Sequence, residues 1–138
     1  MTIHVGADRV DAAKDALEAA ARKCKLIELT PVGIDQSDEF IKTLFVQFAM
    51  NAELRKINGI IRDTANDSSQ YELKPHLSLL YKNLAAETRC ELAASIDVPL
   101  SEVTFDAVKA VRCSPTESGA DVEAWSVIAA ASLSGDCV

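Results

Sequence analysis

This sequence predicts an α+β fold built from two similar halves, and two observations point to it. The order strand–helix–strand–strand occurs twice, starting first at Thr2 and again at His76. A separation of roughly 75 residues is too long for a solenoid repeat and suits a duplicated domain. In addition, no intervening stretch is long or polar enough to divide the chain, so residues 1–138 read as a single domain. The expected architecture is bilobal: two antiparallel sheets face a cleft, with the helices beginning at Arg9, Ala52 and Leu84 outside.

Each element has its own justification. Residues 2–5 read as a short strand, and Asp8 as the N-cap of the next helix. There Val10, Ala13, Leu17, Ala20, Ala21 and Cys24 recur at helical spacing. Residues 26–34 read as a strand ending near Gly33, followed by an acidic loop over 35–39. Residues 43–48 alternate as a strand does and are rich in Phe and Val. A helix over 52–65 sets Leu54, Ile57 and Ile61 on one face despite Gly59 inside it, and a polar loop over 66–70 closes the first half. The second half repeats the plan. It has a strand over 76–80, an N-cap at Asn83, and a helix with Leu84, Thr88, Leu92 and Ile96 on one face. A strand over 103–113, a loop over 114–121 with Pro115 and Gly119, and a last strand over 124–131 complete it.

Composition narrows the function classes. With 49% hydrophobic and 25% charged residues the chain can bury a core, so it is neither disordered nor fibrous. Its apolar runs are too short to cross a bilayer, and no basic stretch followed by an apolar one marks a secretory signal, so a cytoplasmic location is expected. None of Cys24, Cys90, Cys113 and Cys137 lies in a C-x-x-C pair or has a histidine at ligand spacing. They read as reduced, mostly buried thiols, and no metal or cofactor is expected. The net charge of −7 argues against tight binding of long nucleic acid, which needs a broad Lys/Arg surface, but not against a small phosphorylated ligand.

The chemistry concentrates in Lys74-Pro75-His76-Leu77-Ser78-Leu79-Leu80-Tyr81. On a strand His76, Ser78 and Leu80 share one face, and Leu77, Leu79 and Tyr81 share the other. A polar pair with leucines behind it suits a strand whose back packs on helices and whose front lines a cleft. Histidine exchanges a proton near neutral pH, and a hydroxyl two residues on can hold a phosphate oxygen. A lone H-x-S is also what a core histidine hydrogen-bonded to its neighbour looks like.

The stretch P-H-L-S-L-L-Y resembles the second signature of the cyclic phosphodiesterases, within the two-histidine phosphoesterase superfamily that also holds 2′–5′ RNA ligase-like proteins. The segment Lys42-Thr43-Leu44-Phe45-Val46-Gln47-Phe48 is similar to the strand preceding that signature, and the late strand carrying Trp125 is similar as well. The resemblance implies two H-x-[ST] motifs on facing strands of a bilobal fold. Two histidines then act as general base and general acid, and two hydroxyls bind the phosphate, without a metal. The substrates implied are 2′,3′-cyclic or 1″,2″-cyclic phosphates and related 2′–5′ linkages. A tyrosine at the position of Tyr81 commonly contributes to ligand binding in that family.

The first motif departs from the pattern, and two alignments are open. His4 is the motif histidine, with Gly6 in the hydroxyl position, or Thr2 is the hydroxyl and its histidine falls before Met1. Matching Asp8 with Asn83 as caps favours the second, which reads the chain as lacking the first part of its N-terminal lobe. The candidate catalytic residues are therefore His76 and His4, and the candidate substrate-binding residues Ser78, Thr2, Tyr81 and Trp125. Trp125 suits a base-stacking platform, or simply the core. Lys74, Lys82 and Arg112 are available to steer a phosphate. The leading expectation is a metal-independent cyclic phosphodiesterase acting on a small cyclic nucleotide or RNA-end phosphoester, with no membrane partner. The alternatives are a non-catalytic nucleotide- or protein-binding descendant and a 2′–5′ RNA ligase-like activity. The sequence leaves oligomeric state open.

Overall fold

The computed structural model describes residues 1–6, 8–66, 69–97, 101–113 and 119–134. The fold is mixed α+β, and the strands pair antiparallel throughout the described residues. The first part runs α1 (Val10–Lys23), β1 (Ile27–Leu29), β2 (Pro31–Gln36), a 3₁₀ turn (Phe40–Lys42), β3 (Leu44–Phe48) and α2 (Ala52–Ala65). The second runs β4 (His76–Leu80), α3 (Ala86–Ser95), β5 (Val103–Phe105), β6 (Ala107–Arg112), α4 (Gly119–Glu123) and β7 (Ser126–Ser132). Strands β2, β3 and β4 form one sheet with β3 central, β6 pairs with β7, and β1 pairs with β5 from the other half.

The core explains this arrangement. Helix α1 buries Ala16, Leu17 and Ala20, and α2 buries Leu54 and Ile57 completely. The two helices pack on each other, and α1 also covers β6 and β7. Ile27, Leu29, Val46, Phe48, Val108 and Leu133 complete one cluster that draws on every sheet. Removing a large aliphatic side chain from such a cluster typically costs about 2–5 kcal/mol. Asn51 caps α2 by accepting from the Leu54 amide at 2.8 Å, and its side-chain amide donates to the Glu28 carbonyl at 2.9 Å. One residue thus starts the helix and ties it to β1.

Several sequence expectations are corrected. Residues 2–5 form no strand, because side chains and not a neighbouring strand take their carbonyls: Asn58 donates to Ile3 and Ser69 to Val5. Asp8 does not cap α1, whose N-cap is Arg9; its carboxylate instead meets Arg112 at 3.0 Å. Asn83 does not cap α3, which begins after Ala85. The expected strand over 26–34 is two strands in different sheets, parted at Thr30, and that over 103–113 is likewise parted at Asp106, whose carbonyl accepts from Leu133. No residue of α3 is buried, so its expected apolar face is only half covered. Leu77 and Leu79 are exposed, so the back of β4 is not packed under a helix. Among the described cysteines Cys24 is buried, but Cys90 and Cys113 are exposed. Residues 114–118 of the expected loop, with Pro115, and Cys137 lie outside the described residues.

Candidate functional site

Strand β4 is locked onto β3 just ahead of the histidine. Pro75 is buried, and its carbonyl accepts from the Phe48 amide at 3.0 Å. This sets His76 opposite Gln47 and Ser78 opposite Phe45, and Phe45 opposite Asp35 of β2. Opposed residues share a sheet face. His76, Gln47, Ser78, Phe45 and Asp35 therefore form one front. A shallow pocket of about 170 Å³ opens there, lined by Asp35, Lys42, Phe45, Gln47, Lys74, Pro75 and His76.

The half-buried His76 ring is held on two sides. Its Nδ1 lies 2.8 Å from the Lys74 carbonyl oxygen, and Phe45 meets it edge-on with centroids 5.7 Å apart. A carbonyl only accepts, so Nδ1 carries the proton and Nε2 keeps its lone pair. Burial lowers the imidazole pKa below its ordinary 6.5; the hydrogen bond to Lys74 opposes this and the positive charge of Lys42 adds to it. At neutral pH His76 is thus an uncharged imidazole with one basic nitrogen, the state a general base requires.

Lys42 enters from the 3₁₀ turn, with its ammonium 4.5 Å from the centroid of the Phe45 ring. Ser78 donates its hydroxyl to the Ile41 carbonyl at 2.7 Å, which ties that turn to β4. The leucine that follows alters the face pattern. Ser78 pairs with Phe45, yet Leu80 pairs with Leu44, so Leu79 is an extra bulged residue. Leu80 moves to the face of Leu44 and does not share the face of His76. Tyr81, expected behind the strand, accordingly comes round to the front. It stacks on Phe40 with centroids 6.3 Å apart and lies 6.2 Å from Trp125. Phe40 and Lys42 share one turn, which joins this aromatic cluster to the pocket.

The N-terminal candidates lie elsewhere in the contact pattern. His4 sits edge-on to Tyr71, with centroids 6.2 Å apart, and is not among the residues that line the pocket. Thr2 is exposed, and its carbonyl accepts from the Tyr71 hydroxyl at 3.4 Å. The Met1 ammonium also lowers the His76 pKa, so this end of the chain is within electrostatic reach of the ring. Lys82 contributes backbone groups to Thr43, and Arg112 is engaged by Asp8, so neither lines the pocket.

Sequence reasoning missed Lys42, Gln47, Asp35 and Phe40. Lys42 and Gln47 stood inside the segment read only as a strand. The register that sets Gln47 opposite His76 was the signal needed, and it is fixed by pairing between strands rather than by local sequence. A larger depression of about 380 Å³, bounded by Asn58, Gly59, Arg62, Asp63 and Asn66 along α2, contains no nucleophile or imidazole. Among the described residues no three His, Cys, Asp or Glu side chains converge in a way that could hold a metal ion. No helix among them is long and apolar enough to cross a membrane. No known family model matches the chain, and no curated protein sequence matches it.

Proposed function

We propose that this protein is a metal-independent cyclic phosphodiesterase acting on 2′,3′-cyclic or related cyclic nucleotide phosphates, with His76 as a general acid–base residue. The observation that carries the reading is the hydrogen bond from Nδ1 of His76 to the Lys74 carbonyl, which leaves Nε2 basic on a residue that lines a pocket with two lysines. In that role Nε2 takes a proton from the attacking water, whose oxygen forms a bond to phosphorus as one P–O bond of the cyclic ester breaks. The alkoxide released must gain a proton from a second acid.

The bilobal duplicated fold belongs to this proposal, with two sheet lobes facing a cleft. Its support is the spacing of the elements. Val10 and Ala86, Ile27 and Val103, and Pro31 and Ala107 open α1 and α3, β1 and β5, and β2 and β6, and each pair is 76 residues apart. The same offset carries Ser78 back to Thr2, and it assigns His4 to the position of Leu80, not of His76. The aromatic cluster of Phe40, Tyr81 and Trp125 fits a stacking surface for the base.

A second reading is a non-catalytic nucleotide-binding descendant of the same fold. It is favoured by one specific observation: of the two histidines in the chain, the pocket contains only His76. A 2′–5′ RNA ligase-like activity would use the same pocket in the reverse direction. Turnover of a 2′,3′-cyclic nucleotide in the presence of a chelator decides between the hydrolase and the binder. The hydrolase reading expects turnover that falls by about 10²–10⁴ in His76→Ala, the usual worth of a positioned acid or base. Saturable binding without any turnover, or turnover indifferent to His76→Ala, would overturn it.

A further inference from the structure

The contact that Ser78 makes is not the one a phosphate-binding hydroxyl would make. A serine hydroxyl has one proton to donate. In this structure that proton goes to the Ile41 carbonyl at 2.7 Å, a bond within the protein that a phosphate would have to break. The residue following Ile41 is Lys42, and its ammonium stands over the Phe45 ring, which also makes a T-shaped contact with His76. Lys42 and Lys74 both line the pocket with His76, and Gln47 adds a side-chain amide. Asp35 lines it too, but its Oδ1 accepts from the Gln36 amide at 2.8 Å. Lys74 is partly neutralised by Glu72 at 3.4 Å, whereas Lys42 has no carboxylate within salt-bridge distance among the described residues.

We propose that Lys42 is the residue that binds the phosphate in this pocket, and that Ser78 is a positioning residue which fixes the 3₁₀ turn bearing Lys42. The inference rests on the phosphoesterase reading for its substrate, but its anion chemistry stands independently of turnover. A tetrahedral phosphate enters between Lys42 and the His76 ring, with Gln47 as a neutral donor. Lys42 is suited to this because its ammonium is already held over the Phe45 ring, so less side-chain freedom is lost when it meets the anion. Before the anion enters, the same ammonium adds to the electrostatic preference for neutral His76.

The test is a double-mutant cycle read by binding rather than by rate. Inorganic phosphate is titrated into the full chain while the ring resonances of His76 are followed by NMR. The variants are Lys42→Met, Lys42→Arg, Ser78→Ala and the Lys42→Met/Ser78→Ala pair. Lys42→Met is expected to weaken phosphate binding about tenfold or more, since hydrogen bonds to charged groups are the stronger kind. Lys42→Arg should retain most of the affinity, which separates loss of charge from loss of fold. Ser78→Ala should weaken binding in the wild-type background and have almost no effect in the Lys42→Met background, because its role runs through Lys42. Undiminished loss from Ser78→Ala in the Lys42→Met background would show that the hydroxyl binds the anion directly and would overturn the assignment. So would phosphate binding unaffected by Lys42→Met, or no binding to the wild-type chain. Binding that follows this pattern without hydrolysis of any cyclic nucleotide would refute the enzyme reading and leave the assignment of Lys42 intact.

Discussion

His76 and Lys74 are joined by a 2.8 Å hydrogen bond from the imidazole Nδ1 to the backbone carbonyl two residues back, across the buried Pro75. That bond fixes the tautomer, and the surroundings fix the charge. Burial, reinforced by Lys42, lowers the His76 pKa, so the folded state holds its proton less tightly than the unfolded chain does. The associated stability is present above the unfolded value near 6.5 and is lost as pH falls through the lower folded value. An NMR titration of the His76 ring should give a midpoint below 6.5, and Lys42→Met should move it upward. A midpoint above 6.5 would contradict the described environment.

Thr43 is the buried polar hinge beneath the 3₁₀ turn, at 1% exposure. Its hydroxyl lies 2.7 Å from the Lys82 carbonyl and 3.0 Å from that of Phe40, so it joins the turn to the end of β4. Thr43→Val preserves shape and removes that hydroxyl, leaving part-buried carbonyl groups short of a donor. The expected loss is about 1–3 kcal/mol of unfolding free energy. Urea denaturation checks it, with a lower midpoint and an unchanged slope as the expected outcome. Since the same turn carries Lys42, phosphate affinity should fall as well.

Trp125 is the sole tryptophan, so intrinsic fluorescence reports on its surroundings alone. Tyr81 lies against it at 6.2 Å and also stacks on Phe40. Tyr81→Ala should shift the emission to longer wavelength as water reaches the indole. A cyclic nucleotide whose base joins this cluster should quench the wild-type emission, and Tyr81→Ala should weaken that binding about tenfold, within the roughly 1–3 kcal/mol typical of base stacking. Nucleotide binding that leaves Trp125 emission unchanged would remove the cluster from the site.

Much of the helical plan was legible in the sequence, and the sheets were less so. The span of α2 follows from Leu54, Ile57 and Ile61 recurring on one face, while its cap, Asn51, was not read from the sequence. Strand β4 was readable from its polar pair and leucines, and its limits fall where the residues suggested. What failed were features set by distant partners. Asp8 has the chemistry of a cap, but Arg112, far along the chain, claims its carboxylate. Strict alternation put Tyr81 behind the sheet, but one bulge at Leu79 reverses the faces beyond it, and a bulge is fixed by pairing with β3 rather than by local propensity. Lys42 gave no local signal at all, because its role depends on where the turn is tethered.

The two histidines should behave differently on substitution, and this tests the alignment of the halves. His4 packs edge-on to Tyr71, and the offset of 76 residues between α1 and α3, β1 and β5, and β2 and β6 would assign it to the position of Leu80. It is therefore not expected to supply the second proton. His4→Ala should leave any cyclic nucleotide turnover within about threefold of wild type, whereas His76→Ala should lower it by about 10²–10⁴. A variant with Pro-His-Xaa placed directly ahead of Thr2 sets an imidazole where the offset puts the counterpart of His76. It should raise turnover, because a second histidine can protonate the leaving alkoxide while His76 accepts the proton from water. Its pH–rate profile should become bell-shaped, with one limb for the base and one for the acid. Equal, large losses from His4→Ala and His76→Ala, with no gain from the added histidine, would mean that His4 is the second catalytic group and that the halves align at the shorter offset.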